Sequence, residues 1–105
     1  MIHETAIVSS KAKLGSDVEI GPYAIIEENV EIGDRGKIAG HAILKSGTRI
    51  GKSVTVESFC IIGGLPQDLG FDANTETYAA IGDGSVIREG STINRASTAG
   101  GSKIV

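Results

Sequence analysis

Few side chains in this sequence are of a type that could take part directly in catalysis. The chain has two histidines, His3 and His41, and one cysteine, Cys60. A histidine works as a general base only when a neighbouring group positions it, and we find no such partner for either, so both are expected to be surface or structural residues. Cys60 has no second cysteine with which to form a disulfide and is interpreted as a small buried side chain. We therefore expect no catalytic residue in this chain.

Metal, phosphate and paired-carboxylate chemistry are disfavoured as well. A catalytic zinc site needs three protein ligands and an open fourth position, which two distant histidines do not supply. Gly63-Gly64 and Gly100-Gly101 are not followed by Lys-Ser/Thr at the start of a helix, so they are not phosphate loops. The acidic stretch Glu27-Glu28 with Glu31 is interpreted as a solvated corner. No metal site and no cofactor is expected.

The strongest pattern is a six-residue repeat, and it must position any site. Aliphatic residues recur at every sixth position, at Ile2, Val8, Leu14, Ile20, Ile26, Ile32, Ile38, Leu44, Ile50, Val56 and Ile62. They resume at Ile81, Ile87 and Ile93. A second series of small or β-branched residues lies two positions before each of them, which puts both series on one face of short strands. A fixed short period of this kind predicts a β-solenoid.

Three hexads would close one triangular coil of the solenoid. Glycine often follows the aliphatic position, where a bend needs either a left-handed φ or a close approach between backbones. The sequence then divides into five coils that begin at Ile2, Ile20, Ile38, Val56 and Ile81. Neighbouring strands lie about 4.8 Å apart, so five coils would be ~24 Å tall. We predict an all-β fold in which residues 1–105 form a single parallel β-helix domain.

The fourth coil interrupts the period. Ile81 follows Ile62 by nineteen positions, and Thr75 to Ala80 can serve as one hexad because Ala79 supplies its small residue. About seven extra residues, Asp68 to Asn74, are left to bulge from a corner, so a loop is predicted near residues 64–74. Loops on a rigid scaffold are where function concentrates. Leu69 and Phe71 would be exposed on this loop, which suggests contact with another molecule.

Composition excludes several classes of function. The formal net charge is −3, the basic residues are scattered, and only 4% of residues are aromatic, so nucleic-acid binding is not expected. Without a long apolar stretch or a signal peptide, we expect a cytoplasmic protein with no membrane insertion. The repeat stops in phase at Val105 without a C-terminal helical cap. A solenoid end normally needs a cap, so we expect the N-terminal part of a longer protein or an engineered truncation.

Several segments carry a resemblance to a known family. The hexads IGPYAI, IGDRGK, IGKSVT and IGDGSV resemble the bacterial transferase hexapeptide family. Three further segments resemble, more closely, its acyl-[acyl-carrier-protein]–UDP-N-acetylglucosamine O-acyltransferase members: IHETAIV from Ile2, IGGLPQDL from Ile62, and IRE followed by TINR between Ile87 and Arg95. The resemblance covers the whole chain, which would make up about the first two fifths of such an enzyme.

The resemblance implies a left-handed parallel β-helix, a hand opposite to the usual crossover rule, in a cytoplasmic homotrimer. It implies acyl transfer from acyl carrier protein to the 3-hydroxyl of UDP-N-acetylglucosamine, the first step of lipid A synthesis, with active sites between subunits. Gln67, Asp68 and Asn94 match positions that bind the nucleotide sugar. Asn94 stands where relatives often carry histidine, and Gly70 where many carry lysine. The family's catalytic histidine lies in a later coil, so this chain alone is predicted to be inactive.

Three alternatives stay open at this point. The chain could be a non-catalytic β-solenoid scaffold that stacks end to end through unpaired strand edges. A γ-class carbonic anhydrase would need three histidine ligands, whereas this sequence has two histidines in distant coils. An ice-binding solenoid would need repeated outward threonine rows, whereas the outward positions here are mixed Glu, Asp, Lys and Ser.

Overall fold

The chain winds into five coils of short parallel strands. The computed structural model describes residues 1–66, 76–97 and 102–104, the last three as backbone only. Within these residues the strands are β1 (Ile7–Val8), β2 (Lys13–Leu14), β3 (Glu19–Ile20), β4 (Ile25–Ile26), β5 (Glu31–Ile32), β6 (Lys37–Ile38), β7 (Ile43–Leu44), β8 (Thr48–Ile50), β9 (Thr55–Val56), β10 (Ile61–Gly64), β11 (Tyr78–Ile81), β12 (Val86–Ile87), β13 (Thr92–Asn94) and β14 (Ser102–Ile104).

Every third strand belongs to the same sheet, so the coils form a prism with three faces. Face A is the sheet β1-β4-β7-β10-β13, face B is β2-β5-β8-β11-β14, and face C is β3-β6-β9-β12. A parallel bridge from Ile2 to Ile20 adds a fifth rung to face C. The pairings among the described strands are parallel, and they keep one register, as with Ile7, Ile25, Ile43 and Ile61 along face A, except for a shift at the end of β10. The predicted five coils are confirmed.

The core lies inside the prism and is built from the two residue series of the repeat. Its buried members are Val18, Ile20, Ala24, Ile26, Val30, Ile32, Ile38, Ala42, Leu44, Ile50, Val54, Val56, Cys60, Ile62, Ala79, Ile81 and Ile87. No aromatic side chain occurs in the core among the described residues. Cys60 is fully buried, and its thiol lies 3.0 Å from the carbonyl oxygen of Arg88. The prediction that Cys60 is a small core side chain is confirmed.

The three corners of the prism use a repeated turn. In the described part of the chain, seven residues other than glycine have φ between 54° and 64°, all of them at corners: Asp17, Tyr23, Asn29, Arg35, His41, Ser53 and Phe59. Most glycines that follow the aliphatic position do not have a left-handed φ; they lie where two backbones approach closely. A Cβ on Gly33 would stand 2.8 Å from the carbonyl carbon of Gly51 in the next coil, and a Cβ on Gly21 would stand 2.6 Å from the amide nitrogen of Gly40. Of the two explanations for these glycines, close backbone approach is the correct one.

The three faces differ in their outward side chains. Face A carries an isoleucine row, Ile7, Ile25, Ile43 and Ile61. Face B carries Lys13, Glu31, Arg49 and Ala80, and face C carries Glu19, Lys37, Thr55 and Val86. On faces B and C opposite charges are neighbours along the row, and such cross-strand pairs favour correct register.

After the interruption in coil 4 the repeat resumes as predicted. Ala79 pairs with Thr48 and Ile81 with Ile50, and both Ala79 and Ile81 are buried. The loop segment predicted at residues 68–74 lies outside the described residues. Among those that are described, no helix is long and apolar enough to cross a bilayer.

Candidate functional site

The chain leaves the repeat at the corner between faces A and B, called here the A/B corner. β10 ends at Gly64. The described chain resumes at Glu76, two residues before β11 begins. Gly63 starts the departure with φ of +87°, and a Cβ on it would stand 2.9 Å from the carbonyl oxygen of Lys45 and collide with the hydroxyl of Thr48. A side chain at position 63 is therefore excluded by both conformation and space.

Thr48 supports this departure from inside the prism. It occupies a position of the small-residue series and is fully buried. Its hydroxyl donates to the carbonyl oxygen of Lys45 at 2.7 Å and lies 3.1 Å from that of Ile62. Because a buried hydroxyl without a partner is costly, this bond explains why threonine is accepted at position 48 in a mostly apolar core.

Coil 5 holds both ends of the excursion, defined here as residues 65–77. The backbone N–H of Arg95 donates to the carbonyl of Gly64 at 2.9 Å, and the N–H of Ala96 donates to the carbonyl of Tyr78 at 3.2 Å. Two consecutive residues thus bridge the outgoing and returning strands. The base of the excursion is fixed by backbone hydrogen bonds, whatever the sequence between.

Asn94 lies at this base. It pairs with Gly64 across a register shift at the end of β10, and its side-chain oxygen lies 3.2 Å from the place of a Cβ on Gly64. Its side chain is half-buried. Gln67 and Asp68, the other two predicted binding residues, lie outside the described residues. The structure therefore places Asn94 beside the point from which the segment carrying Gln67 and Asp68 departs.

Charged side chains surround the corner in pairs. The Lys45 ammonium lies 4.0 Å from the Glu27 carboxylate, which also accepts the backbone N–H of Ser46 at 3.0 Å. Glu28 pairs with Lys11 at 3.9 Å. Each acidic residue here faces a cation of the neighbouring coil, so the interpretation of this stretch as a solvated corner agrees with its geometry.

An arginine and a tyrosine lie where the excursion joins face B. The Arg49 guanidinium lies 4.7 Å from the centre of the Tyr78 ring and 3.5 Å from Glu31, and it donates to the side chain of Asn29 at 2.8 Å. The Tyr78 hydroxyl donates to Glu76. That hydrogen bond, followed by desolvation and the Glu76 charge, raises the pKa of Tyr78, so the phenol is held neutral as a donor.

Thr77 is a buried polar group at the end of the excursion. It is 1% exposed, and no described group lies within hydrogen-bonding distance of its hydroxyl. Its carbonyl oxygen would be 2.8 Å from a Cβ on Gly47, whose φ is +94°. Glycine at 47 thus allows the returning chain to pack directly on the coil below.

Both histidines lie at a different corner, between faces C and A, called here the C/A corner. The His41 ring stacks between those of Tyr23 and Phe59, with centroid distances of 5.3 and 5.1 Å. These three rings, named here the aromatic column, follow one another at a spacing of one coil. His3 lies in the first coil, where its Nδ1 is 2.9 Å from the Thr5 hydroxyl.

The same corner carries a carboxylate pair with an arginine. Arg88 contacts Glu57 and Glu89, each at 3.3 Å. A hydrogen bond to Glu89, with desolvation and the Glu89 charge, raises the pKa of Glu57, and the reciprocal bond lowers the pKa of Glu89. Arg88 is exposed at the C/A corner, whereas Arg95 is half-buried at the A/B corner.

Sequence reasoning missed the aromatic column and the Glu57–Glu89 pair. The column could have been found from the spacing alone, since residues 23, 41 and 59 are eighteen apart and therefore one coil apart. The pair could not be found so directly, because the excursion changes the offset between coils 4 and 5. No group of three or more potential metal ligands occurs in the described part of the chain.

The A/B corner thus offers a fixed base, an amide side chain and mixed charges, which suits binding a polar molecule. It offers no histidine among the described residues, because the sequence has two histidines and both lie at the C/A corner. At that corner His41 contacts rings instead of a carboxylate that would orient it. The expected non-catalytic roles of His3 and His41 stay predictions.

Comparison with known proteins matches both the repeat and the whole chain. The model of the family "Bacterial transferase hexapeptide (six repeats)" matches residues 11–46. The acyl-[acyl-carrier-protein]–UDP-N-acetylglucosamine O-acyltransferase of Chlorobaculum parvum is 48% identical over 104 residues, which are 99% of this chain and 39% of the relative. That of a Sulfurihydrogenibium species is 53% identical over 94 residues, 90% of this chain and 34% of the relative.

Comparison with solved structures also matches the whole chain. The crystal structure of a UDP-N-acetylglucosamine acyltransferase from Bacteroides fragilis superposes with a TM-score of 0.95 at 44% identity, covering 100% of this chain and 41% of that one. The prediction of a left-handed parallel β-helix is confirmed. The chain spans about two fifths of the length of the curated relatives that it matches. Its hexads match the hexapeptide-repeat family model over residues 11–46, and over nearly its whole length the chain is similar to part of the acyl-[acyl-carrier-protein]–UDP-N-acetylglucosamine O-acyltransferases.

Proposed function

We propose that this chain forms the β-helix part of a UDP-N-acetylglucosamine 3-O-acyltransferase and contributes to its sugar-nucleotide site through the A/B corner. The observation that carries the proposal is the superposition of the whole chain on an enzyme of this activity. The excursion that leaves the repeat in coil 4, with Asn94 at its base, is where the binding residues Gln67 and Asp68 are proposed to act.

In the proposed reaction the sugar 3-hydroxyl attacks the thioester carbonyl of the acyl carrier protein. A C–O bond forms, the C–S bond breaks, the hydroxyl proton passes to a general base, and the carrier leaves as a thiol. The chain's own residues at the A/B corner would orient the sugar nucleotide, and orientation alone can supply a large part of a rate enhancement. Because His3 and His41 lie at the C/A corner, the base is proposed to come from outside residues 1–105.

Two further properties belong to the same proposal. The protein is proposed to act as a cytoplasmic homotrimer, with the active site in the cleft between subunits. Support comes from the position of the A/B corner, which borders face A, the face with the isoleucine row. A site beside an apolar face would be completed by the neighbouring subunit that covers this face.

Binding of UDP-N-acetylglucosamine tests the assigned site. Titration calorimetry on the 105-residue chain should give saturable binding, and Asn94→Ala should weaken it about fivefold, the effect of one lost hydrogen bond. The matched control is Thr92→Ala, two residues earlier on the same strand and exposed, which should leave binding unchanged. Equal weakening by both variants, or no saturable binding, would refute the assignment of this corner.

Acyl transfer tests the proposed division of labour. Purified chain, UDP-N-acetylglucosamine and a panel of acyl-carrier thioesters should yield no acylated sugar above background, because both histidines of the chain lie at the C/A corner, away from the proposed sugar-nucleotide site. Product that disappears in His41→Ala would show that the base lies within this chain, against the proposal.

A further inference from the structure

The chain that returns from the excursion is extended, and its side chains alternate between two sides. From Glu76 to Ile81, exposed or half-buried residues alternate with buried ones. Thr77 and Ala79 point into the prism, at 1% and 0% exposure, so Glu76 and Tyr78 share the outward side. The last outward side chain of the excursion therefore lies beside the first side chain of β11.

Main-chain bonds hold β11, whereas a side-chain bond reaches back into the excursion. The N–H of Ala79 donates to the carbonyl of Gly47 at 2.9 Å, and the carbonyl of Tyr78 accepts the N–H of Ala96 at 3.2 Å. These bonds place β11 between coils 3 and 5. The Tyr78 hydroxyl then donates to the carboxylate of Glu76, which ties the returning end of the excursion to this fixed strand.

Arg49 is a rigid platform for the Tyr78 ring. Its Nη1 and Nη2 donate to the main-chain and side-chain oxygens of Asn29 at 2.6 and 2.8 Å, and its Nε lies 3.5 Å from the Glu31 carboxylate. Because all three nitrogens contact coil 2, the planar guanidinium has little freedom. It lies 4.7 Å from the centre of the Tyr78 ring, where a cation attracts the face of the ring.

Ala80 leaves room for this contact. Ala80 is the register partner of Arg49 on face B, and its methyl group does not cover the guanidinium. Tyr78 precedes Ala80 by two residues and points to the same side, so its ring extends over Arg49. A chain of side-chain contacts thus runs from Asn29 in coil 2 to the excursion of coil 4.

We propose that Arg49 and Tyr78 are positioning residues, which hold the excursion through Glu76 in the conformation that binds the sugar nucleotide. This inference rests on the proposed function, in which Gln67 and Asp68 of the excursion bind that ligand. Neither Arg49 nor Tyr78 needs to touch the ligand. Their effect is to restrain the end of the segment that does.

Such a restraint acts on affinity through populations. The apparent dissociation constant is the intrinsic constant divided by the fraction of molecules in the binding-competent conformation. A loop whose end is fixed before binding loses less conformational entropy when the ligand arrives. Removing the restraint lowers the competent fraction and leaves every ligand contact in place. Weaker binding with unchanged global stability is therefore the expected signature.

Calorimetric titration with UDP-N-acetylglucosamine tests the Tyr78–Glu76 bond. Tyr78→Phe keeps the ring on Arg49 but removes the hydroxyl, and should weaken binding about threefold with an unchanged urea midpoint. Glu76→Gln keeps an acceptor oxygen and should bind as the wild type does. The matched control is Tyr23→Phe, which removes a hydroxyl at the C/A corner and should have no effect. Equal affinities of Tyr78→Phe and Tyr23→Phe would overturn the proposal.

A double-mutant cycle tests whether Tyr78 and Glu76 act as one unit. Glu76→Ala should weaken binding as much as Tyr78→Phe, because either change removes the same hydrogen bond. The double variant should then also bind about threefold more weakly than the wild type, whereas independent effects would multiply to about ninefold. A multiplied loss would show that the two side chains act separately, against the proposal.

Arg49→Met tests the platform. It keeps an unbranched side chain but removes the charge below the ring, and should weaken binding by about threefold as well. Arg35→Met is the control, since Arg35 also lies at a corner and its Nε donates to the hydroxyl of Ser53 at 3.1 Å. Arg35→Met should leave affinity unchanged. A lower urea midpoint of Arg49→Met with unchanged affinity would show a purely structural role and refute the positioning role.

Hydrogen–deuterium exchange of the ligand-free chain tests the restraint by itself. The peptide that covers residues 65–77 should exchange about threefold faster in Tyr78→Phe than in the wild type, because local opening becomes easier when a restraint is lost. Peptides from coils 1 to 3 should exchange equally in both, and Tyr23→Phe should leave residues 65–77 unchanged. Equal exchange of residues 65–77 in Tyr78→Phe and the wild type would refute the restraint.

The outcomes separate this inference from the acyltransferase proposal. If UDP-N-acetylglucosamine does not bind the wild type but exchange is faster in Tyr78→Phe, the restraint stands and the sugar-nucleotide assignment fails. If the ligand binds the wild type and Tyr78→Phe equally well, the assignment stands and the positioning role fails.

Discussion

The A/B corner and the C/A corner are made by the same turn but have opposite uses. At the C/A corner the left-handed positions hold Tyr23, His41 and Phe59, whose side chains point into open space and stack on one another. At the A/B corner the corresponding left-handed position in coil 3 is Gly47, because the returning chain packs against it. The repeat fixes the backbone, and crowding around each left-handed position decides whether a corner becomes a surface or a packed base.

The largest expected effect contrasts two glycines. Gly63→Ala should destabilise the protein by ~2–5 kcal/mol, since it adds left-handed strain and a collision with Thr48 and the Lys45 carbonyl. Gly90→Ala, at the C/A corner, has nothing within 4 Å of the added methyl and should cost about 1 kcal/mol. Urea unfolding of both variants measures the difference. Similar losses would mean that strain alone, and not packing at the A/B corner, sets the cost.

A smaller effect is expected for the aromatic column. His41→Ala removes two ring contacts and should cost ~1–2 kcal/mol. Asp17→Ala places the same methyl at a left-handed corner position, with φ of 57° compared with 62° for His41, and should change stability by less than ~0.5 kcal/mol. Thermal unfolding at low protein concentration separates this local effect from association. A cost for Asp17→Ala as large as that for His41→Ala would show that the stacking contributes nothing.

Much of this architecture could be predicted from the sequence because the hexads are local and strictly repeated. The buried series, the five coils and the return of the register at Ala79 and Ile81 all follow from counting positions. The handedness came from resemblance and could not be obtained from the period.

The role of the corners could not be predicted in the same way. That Gly63 is required for packing as well as for its left-handed φ depends on the distance to Lys45, which lies eighteen positions earlier in the chain. The clamp made by Arg95 and Ala96 joins residues on either side of an insertion, so no periodicity indicates it. The proposed roles of Gln67, Asp68 and Asn94 remain predictions that the binding experiment tests.

The smallest expected effect concerns the carboxylate pair at the C/A corner. The pKa of Glu57 is raised in the folded protein. Protonated Glu57 therefore stabilises the fold fully below the pKa that this residue has in the unfolded chain, and this stabilisation is lost as pH rises through its pKa in the folded protein. The lowered pKa of Glu89 has the opposite consequence: its contribution is present above the unfolded-state pKa and is lost as pH falls through the folded-state pKa. Thus the shared hydrogen bond is lost on the alkaline side when Glu57 ionises.

Glu57→Gln keeps a donor to Glu89 at every pH. The variant should therefore match the wild type at acidic pH and exceed its melting temperature at pH 7 by on the order of 1 °C, since exposed pairs contribute little. Melting curves from pH 3 to pH 8 measure this divergence. A constant offset across the range, or a variant that is less stable at pH 7, would show that the proton between the two carboxylates has no effect.

The backbone clamp at the base of the excursion has a consequence for how this protein can vary. Gly64 and Tyr78 are held by Arg95 and Ala96 through main-chain atoms alone, so the anchors do not depend on the residues between them. Closing a loop of twice the length costs only ~0.6 kcal/mol more. Segments of different length and specificity could therefore be exchanged at this point, by evolution or by grafting, while every coil above and below keeps its alignment.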